Sequence, residues 1–287
     1  MQNYSVEASN ASITVSLVSY SEHPHQLLGA LKSVGRSLRA AARGGLISEY
    51  RVVIVNNRDE RPIELDRIRC ELDSEGVKPE NISVIEGQGN IGYGRGQNLA
   101  FSDNNLRYHL YMNPDVEVEV DALEAGIRYL ETHPSVGIVS PRAVDADDNK
   151  QHLCKTFPSL FTLFLRSLNS QWINRIFSKR LGRYEMHYLQ ESSPTPGIPI
   201  VSGCFMLCRT RLMKEIGGFD SEYFLYFEDF DLSIRASKKA EIAYLPSMRI
   251  KHFGGGAAKK GWIHILIFVR SALKFFTEYG WRWTHQD

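Results

Sequence analysis

Short apolar runs alternate with helically spaced apolar positions along the first half of the chain. Residues 13–19 (ITVSLVS) and 51–55 (RVVIV) are β-branched runs of strand length, and between them Leu27, Leu28, Leu31, Val34 and Leu38 mark one face of a helix over residues 26–42. The same alternation predicts a helix over residues 66–75, a strand over 82–85, a helix over 96–104, and strands over 108–112 and 136–139. Strands separated by helices build a doubly wound α/β unit with parallel strands, because parallel neighbours need crossover connections. Ligands of such sheets bind beyond the carboxyl ends of the strands, so chemistry is expected in the residues that follow each strand.

Those positions stand out. Asn56 and Asn57 follow the second strand, GQGNIGYGRGQN (residues 87–98) follows the third, and Asn113, Pro114 and Asp115 follow the fourth. The glycine-rich stretch either serves as a structural turn or lets amide N–H groups approach a phosphate; it is neither a Walker loop nor a dinucleotide fingerprint. Asn-Pro is turn chemistry, yet a carboxylate on a sheet edge beside such a loop also suits a hard divalent cation that bridges a diphosphate. His252, at the end of an apolar strand over 243–251 and before Gly254-Gly-Gly256, is either a packed histidine or a second member of that site.

Residues 203–235 run from an apolar strand through a Gly-Gly turn to Glu228, Asp229 and Asp231, bedded among Tyr223, Phe224, Tyr226, Phe227 and Phe230. Desolvation by these rings raises the proton affinity of a carboxylate and makes it a better base near neutral pH. The alternative is a helix start in which Asp229 or Asp231 is a cap or a solvated charge.

Composition narrows the class without naming it. The 287 residues are 43% hydrophobic with a net charge of +1, which fits a globular fold and gives no global nucleic-acid signature. Locally, residues 149–184 hold seven Lys/Arg and no acid. Cys70, Cys154, Cys204 and Cys208 lack zinc-site spacing, and Cys204 and Cys208 read as small core residues on one face of a strand. With no signal-peptide pattern at the start, a cytoplasmic location is expected. The longest C-terminal apolar run, residues 262–269, is interrupted by His264 and closed by Arg270, so no membrane-spanning helix is expected.

The series ITVSLVSY, RVVIVNN, GNIGYGRGQN, YHLYMNPDVEV, VSGCFMLCRTRLMKEIGGFDSEYFLYFEDFDLSIR and IKHFGGGA, in this order, resembles an inverting family 2 glycosyltransferase of the GT-A fold. Within that family the chain is most similar to bacterial rhamnosyltransferases of cell-surface polysaccharide synthesis, over residues 11–258. The resemblance implies a Rossmann-like mixed sheet flanked by helices. It places Asp115 where the last carboxylate of the family's metal-binding Asp-X-Asp motif falls, with Asn113 in place of the first acid and His252 completing the shell around Mg²⁺ or Mn²⁺. It implies Asp229 as general base and Ser19 and Tyr20 in the nucleotide cradle. Asn56 stands where an aspartate often meets the base, and an amide oxygen can still accept that bond. Asn57, Asn90, Gly92, Arg95 and Asn98 join the donor site on the same ground, and Glu228 is placed against acceptor hydroxyls. The implied donor is dTDP-L-rhamnose, with UDP-hexoses, UDP-N-acetylhexosamines or UDP-galactofuranose as rivals.

The implied domain is catalytic over residues 1–258, with a donor half at 11–140 and an acceptor half at 141–258, followed by a helical segment at 259–287. Residues 157–181 and the C-terminal stretch, which includes Lys259 and Lys260, mix aromatics with basic residues. Each is expected either to lie on a membrane beside a polyprenyl-diphosphate-linked acceptor or to pack on the catalytic domain or a second subunit. Residues 192–199, with three prolines, are expected to be a mobile loop between the halves. A non-catalytic nucleotide-sugar-binding protein would keep the glycine loop but lack the base.

Overall fold

The computed structural model describes residues 11–20, 24–58, 62–168, 170–254 and 261–283; Gly255, Gly256, Lys259 and Lys260 lie outside them. Strand β1 (Ala11–Ser19) is buried along almost its whole length because it is central in the sheet. It pairs in parallel with β2 (Ile47–Asn56) on one side and β4 (Tyr108–Met112) on the other, and β3 (Ile82–Ile85) adds to β2. Helices α1 (Pro24–Arg43), α2 (Leu65–Asp73) and α3 (Tyr93–Phe101) make the crossovers. The predicted helix thus starts three residues earlier than its spacing suggested, inside the glycine run.

The second half converts this parallel unit into a mixed sheet. After β4 come β5 (Val116–Val118), α4 (Ala122–Thr132), β6 (Val136–Val144) and the short β7 (Lys150–Gln151) and β8 (Cys154–Lys155). Further on, β9 (Thr195–Pro196), β10 (Ile200–Val201) and β11 (Phe205–Arg209) lead through α8 (Thr210–Ile216) and α9 (Glu228–Ser237) to β12 (Glu241–His252). The sheet order is β3-β2-β1-β4-β11-β6-β12-β5, with β11 antiparallel to both neighbours. Three residues of β5 were too few to register as a strand in the sequence. The proline-rich stretch expected to be a loop supplies β9, which pairs with β12.

Period-two alternation feeds two apolar layers. On β4, Leu110 and Met112 face a core with α1, α2 and α4, while Tyr111 faces a second core with Phe101, Met213 and Leu232 of α3, α8 and α9. Cys204 precedes β11 and joins the first core whereas Cys208 joins the second, so the expectation that they share one face is corrected.

The aromatic and basic segment at 157–181 forms three short helices: α5 (Leu160–Ser167), capped by Ser159 Oγ, α6 (Gln171–Ile176) and α7 (Ser178–Tyr184). Helix α10 (Gly261–Tyr279) buries Phe275 and Phe276 against Tyr223 and Phe227 and so closes over the segment that precedes α9. Among the described residues no helix is long and apolar enough to cross a membrane.

Candidate active site

The antiparallel register of β5 and β12 sets His252 opposite Val116 and brings Asp115 beside it. Phe253 N donates to Asp115 O at 2.9 Å, and Asp115 Oδ1 lies 3.6 Å from His252 Nε2. The tautomer follows from Gln151. Its Nε2 donates to His252 O (3.0 Å) and Gly254 O (3.3 Å), so its Oε1 faces His252 Nδ1 at 2.8 Å and requires the proton there. Burial lowers the histidine pKa, opposed by the Asp115 charge, and the neutral ring turns the Nε2 lone pair toward the carboxylate.

Two electron-pair donors therefore face each other with no proton between them. Asp115 Oδ1 is buried and has no hydrogen-bond partner among the described residues. A Cβ on Gly254 would stand 2.3 Å from Asp115 Oδ2 and 2.8 Å from His252 Nε2, so glycine keeps this space open. A carboxylate, an imidazole whose other nitrogen is anchored, and a reserved gap fit a divalent cation. Gln151 carried no motif; only the pairing of β7 with β6 brings it here. A second acidic group, Asp220, Asp231 and Glu278, is already neutralised, since Lys274 bridges Asp220 and Glu278 and Arg235 clasps Asp231.

The acid pair opens helix α9 from a strained turn. Tyr226 and Phe227 both have positive φ (70° and 65°), unusual for aromatic residues, and their rings pack against Phe268 of α10. Glu228 is only 5% exposed, its Oε2 has no partner among the described residues, and burial followed by the neighbouring Asp229 charge pushes its pKa up to about 8. Burial also raises Asp229, but Gly203 N donates to its Oδ2 and Phe230 N to its Oδ1, both at 3.0 Å, and these bonds favour its charge. The environments separate the two: the backbone donors favour charge on Asp229, whereas Glu228, with no partner at Oε2 among the described residues, is driven toward its protonated form.

A buried polar chain supports Gly203 from behind. Ser16 Oγ donates to Gln97 Oε1 (2.5 Å), Gln97 Nε2 to the Tyr93 hydroxyl (3.1 Å), and that hydroxyl to Gly203 O (2.6 Å). Lys155 on β8, which burial lowers to about 8, adds a cation whose charge favours ionised Asp229. Neither Tyr93 nor Lys155 was singled out by sequence, because their roles depend on strand pairing. Asp231 is bound by Arg235 (2.9 Å from Nε to Oδ2) and the Tyr279 hydroxyl (2.6 Å to Oδ1), a structural role.

The remaining candidates divide into two groups. At the ends of β1 and β2, Asn57 N donates to Ser19 O (2.9 Å) and Asn57 Nδ2 to Gly92 O (3.0 Å). Asn56 Nδ2 donates to Glu86 (3.2 Å) and its Oδ1 accepts from Arg58 N (3.1 Å), while Asn90 Oδ1 accepts from Gly92 N (3.2 Å). Tyr20 projects into solvent beside this edge, and Asn113 N donates to Cys204 O at 2.8 Å, next to Gly203. Arg95 and Asn98 instead serve the 218–221 turn. Arg95 Nε donates to Ser221 O (2.6 Å), and Asn98 exchanges two bonds with the Phe219 backbone (2.7 and 2.9 Å). Several glycines are explained by packing: a Cβ on Gly92 would lie 2.2 Å from Phe224 O and one on Gly96 2.9 Å from Val18.

The strand ends of a mixed sheet thus gather Asp115 with His252 and Glu228 with Asp229, and the sequence comparison names the family that carries this sheet. Residues 14–217 match Glycosyl transferase family 2, and the chain belongs to that family. It is 25% identical over 185 residues to an N-acetylglucosaminyl-diphospho-decaprenol L-rhamnosyltransferase of Mycobacterium tuberculosis, covering 60% of this chain and 59% of the relative. It is 27% identical over 216 residues to the rhamnosyltransferase WbbL of Escherichia coli, covering 71% and 73%. Among solved structures, GalNAc-T7 with UDP, GalNAc and Mn²⁺ superposes with a TM-score of 0.57 at 14% identity, over 85% of this chain and 44% of that one. S. aureus TarS 1–349 in complex with UDP gives 0.55 at 14%, over 91% and 65%. The chain thus spans less than two thirds of the mycobacterial relative and under half of GalNAc-T7. The fold is GT-A.

Proposed function

We propose that the chain is an inverting glycosyltransferase that moves L-rhamnose from dTDP-L-rhamnose to a sugar hydroxyl of a lipid-linked glycan in O-antigen or other cell-surface polysaccharide synthesis. The observation that carries the reading is the geometry of the buried acid pair beside the strand ends, where Gly203 N and Phe230 N donate to the two Asp229 carboxylate oxygens and Glu228 Oε2 has no partner among the described residues. Asp229 accepts the proton of the acceptor hydroxyl as its oxygen attacks the anomeric carbon opposite the nucleotide. One base without a nucleophile inverts configuration in a single displacement. Glu228, protonated, offers a hydrogen bond to a neighbouring acceptor oxygen. Gly203 N–H holds the Asp229 carboxylate in place, and the Tyr93 hydroxyl holds Gly203.

Asp115 and His252 would hold a divalent cation, which when bound neutralises charge on the departing nucleoside diphosphate. The names of both curated relatives support rhamnose, and that of the mycobacterial one supports an N-acetylglucosaminyl-diphospho-polyprenol acceptor. The UDP of the structural neighbours and the Mn²⁺ of GalNAc-T7 support a nucleotide and a divalent cation as ligands.

Calorimetric titration with dTDP-L-rhamnose, UDP-glucose, UDP-N-acetylglucosamine and UDP-galactofuranose, with and without Mn²⁺, tests the donor. Metal-dependent binding of the thymidine donor, lost in Asp115→Ala, is expected. Binding of a uridine donor instead would replace rhamnose, and binding of none would overturn the transferase reading.

A further inference from the structure

All four tryptophans of the chain lie on α10, just after it, or on α6: Trp172, Trp262, Trp281 and Trp283, each between 49% and 72% exposed. The two helical segments adjoin, because Leu160 N donates to Arg282 O (2.9 Å) and Phe161 N to Trp283 O (3.3 Å). Ile263, Ile265 and Leu266 of α10 and Phe164 of α5 also stand more than half exposed. Helix α10 is therefore apolar on both sides. One face is filled by Phe275 and Phe276, and on the other Ile263, Ile265 and Leu266 are uncovered by the described residues.

Lys150, Lys155 and Arg166 are paired with Glu191 and Glu185, whereas Arg175, Lys179 and Arg270 are exposed and form no ion pair among the described residues. Indoles with exposed aliphatic side chains and unpaired cations match the boundary of an anionic bilayer, where rings sit at headgroup level and cations meet lipid phosphate. A soluble partner of ordinary acidity explains the cations but not the exposure of Trp172, Trp262 and Trp283.

We propose that α5, α6 and α10 form a docking face that lies in the interface of an anionic membrane without crossing it. The proposal goes beyond the catalytic reading, and its test needs neither donor nor acceptor. Through Ser271 Oγ, which donates to Leu225 O at 2.8 Å, and Phe268, which packs on Phe227, the docked helix also touches the turn that delivers the acid pair.

Trp172, Trp262 and Trp283 are each more than 70% exposed while Trp281 stacks on Phe276, so intrinsic tryptophan emission reports mainly on exposed indoles. The full chain is titrated with vesicles of phosphatidylcholine and phosphatidylglycerol, and with phosphatidylcholine alone, and pelleted in parallel. A blue shift and co-sedimentation with the anionic vesicles, weakened by salt, are expected. Arg175→Gln with Lys179→Gln should lower partitioning about thirtyfold, two charges each contributing what an anionic leaflet gives a surface cation. Trp262→Ser, at a site 71% exposed, should lower it with an unchanged melting temperature. Vesicle binding that is absent, indifferent to lipid charge, or unaffected by these substitutions overturns the proposal. So does a blue shift without lipid that tracks dimer formation in sedimentation, which would assign the face to a second copy.

Discussion

Glu228→Gln removes a buried group whose ionisation opposes folding. The carboxyl ordinarily titrates near 4.5 and is pushed up to about 8 in the fold. Between those limits the folded chain binds more protons than the unfolded one, so stability falls as pH rises, by about 1.4 kcal/mol per pH unit. The loss is absent below about pH 4.5, reaches on the order of 3 kcal/mol at pH 7, and levels off above about pH 8. Glutamine is neutral throughout and keeps the side-chain shape. The variant should therefore match the wild type within a constant offset near pH 4.5 and gain on it steadily up to pH 8. A gain of about 3 kcal/mol corresponds to roughly 6 to 12 °C in melting temperature for a domain of this class. Urea unfolding at half-unit pH steps reads the difference directly. A difference that stays flat from pH 5 to pH 8 would refute the claim that Glu228 is buried in its protonated form.

Other outcomes follow from the same geometry. Gln151→Leu removes the acceptor that fixes the His252 tautomer and should weaken Mn²⁺ binding, measured calorimetrically with nucleotide present, by about 10- to 100-fold; an unchanged affinity would detach Gln151 from the site. Gly92→Ala meets Phe224 O at 2.2 Å and a φ of 87°, whereas Gly45→Ala meets open space at a φ of 69°. The first should cost clearly more than the roughly 1–2 kcal/mol of left-handed strain that limits the second, as equilibrium unfolding will show. Since burial raises Asp229, the acid limb of kcat/KM should lie above the ordinary aspartate range, with activity lost as pH falls through it.

Much of this arrangement was legible because it is local. The apolar runs at β1 and β4 and the spacing of Leu27, Leu31, Val34 and Leu38 stated their own structure, and the aromatic bed around Glu228 announced its desolvation. Elements set by long-range pairing were not legible. Gln151 reaches His252 only because β7 pairs with β6, and the sheet turns mixed only because β11 inserts between β4 and β6. Within the glycine run, sequence could not separate glycines that hold α3 against Val18 and Phe224 from those free to approach a ligand. Arg95 and Asn98 have the chemistry of phosphate and sugar ligands, but the 218–221 turn engages both.

The central claim is that Asp229 is the base of an inverting transfer. Product formation from dTDP-L-rhamnose and a short-chain polyprenyl-diphospho-N-acetylglucosamine, followed by NMR of the new anomeric centre, tests it for wild type, Asp229→Asn and Glu228→Gln. The account requires a product of inverted configuration, its loss in Asp229→Asn with donor affinity intact, and residual turnover in Glu228→Gln; full turnover in Asp229→Asn, or a retained anomeric configuration, would contradict it.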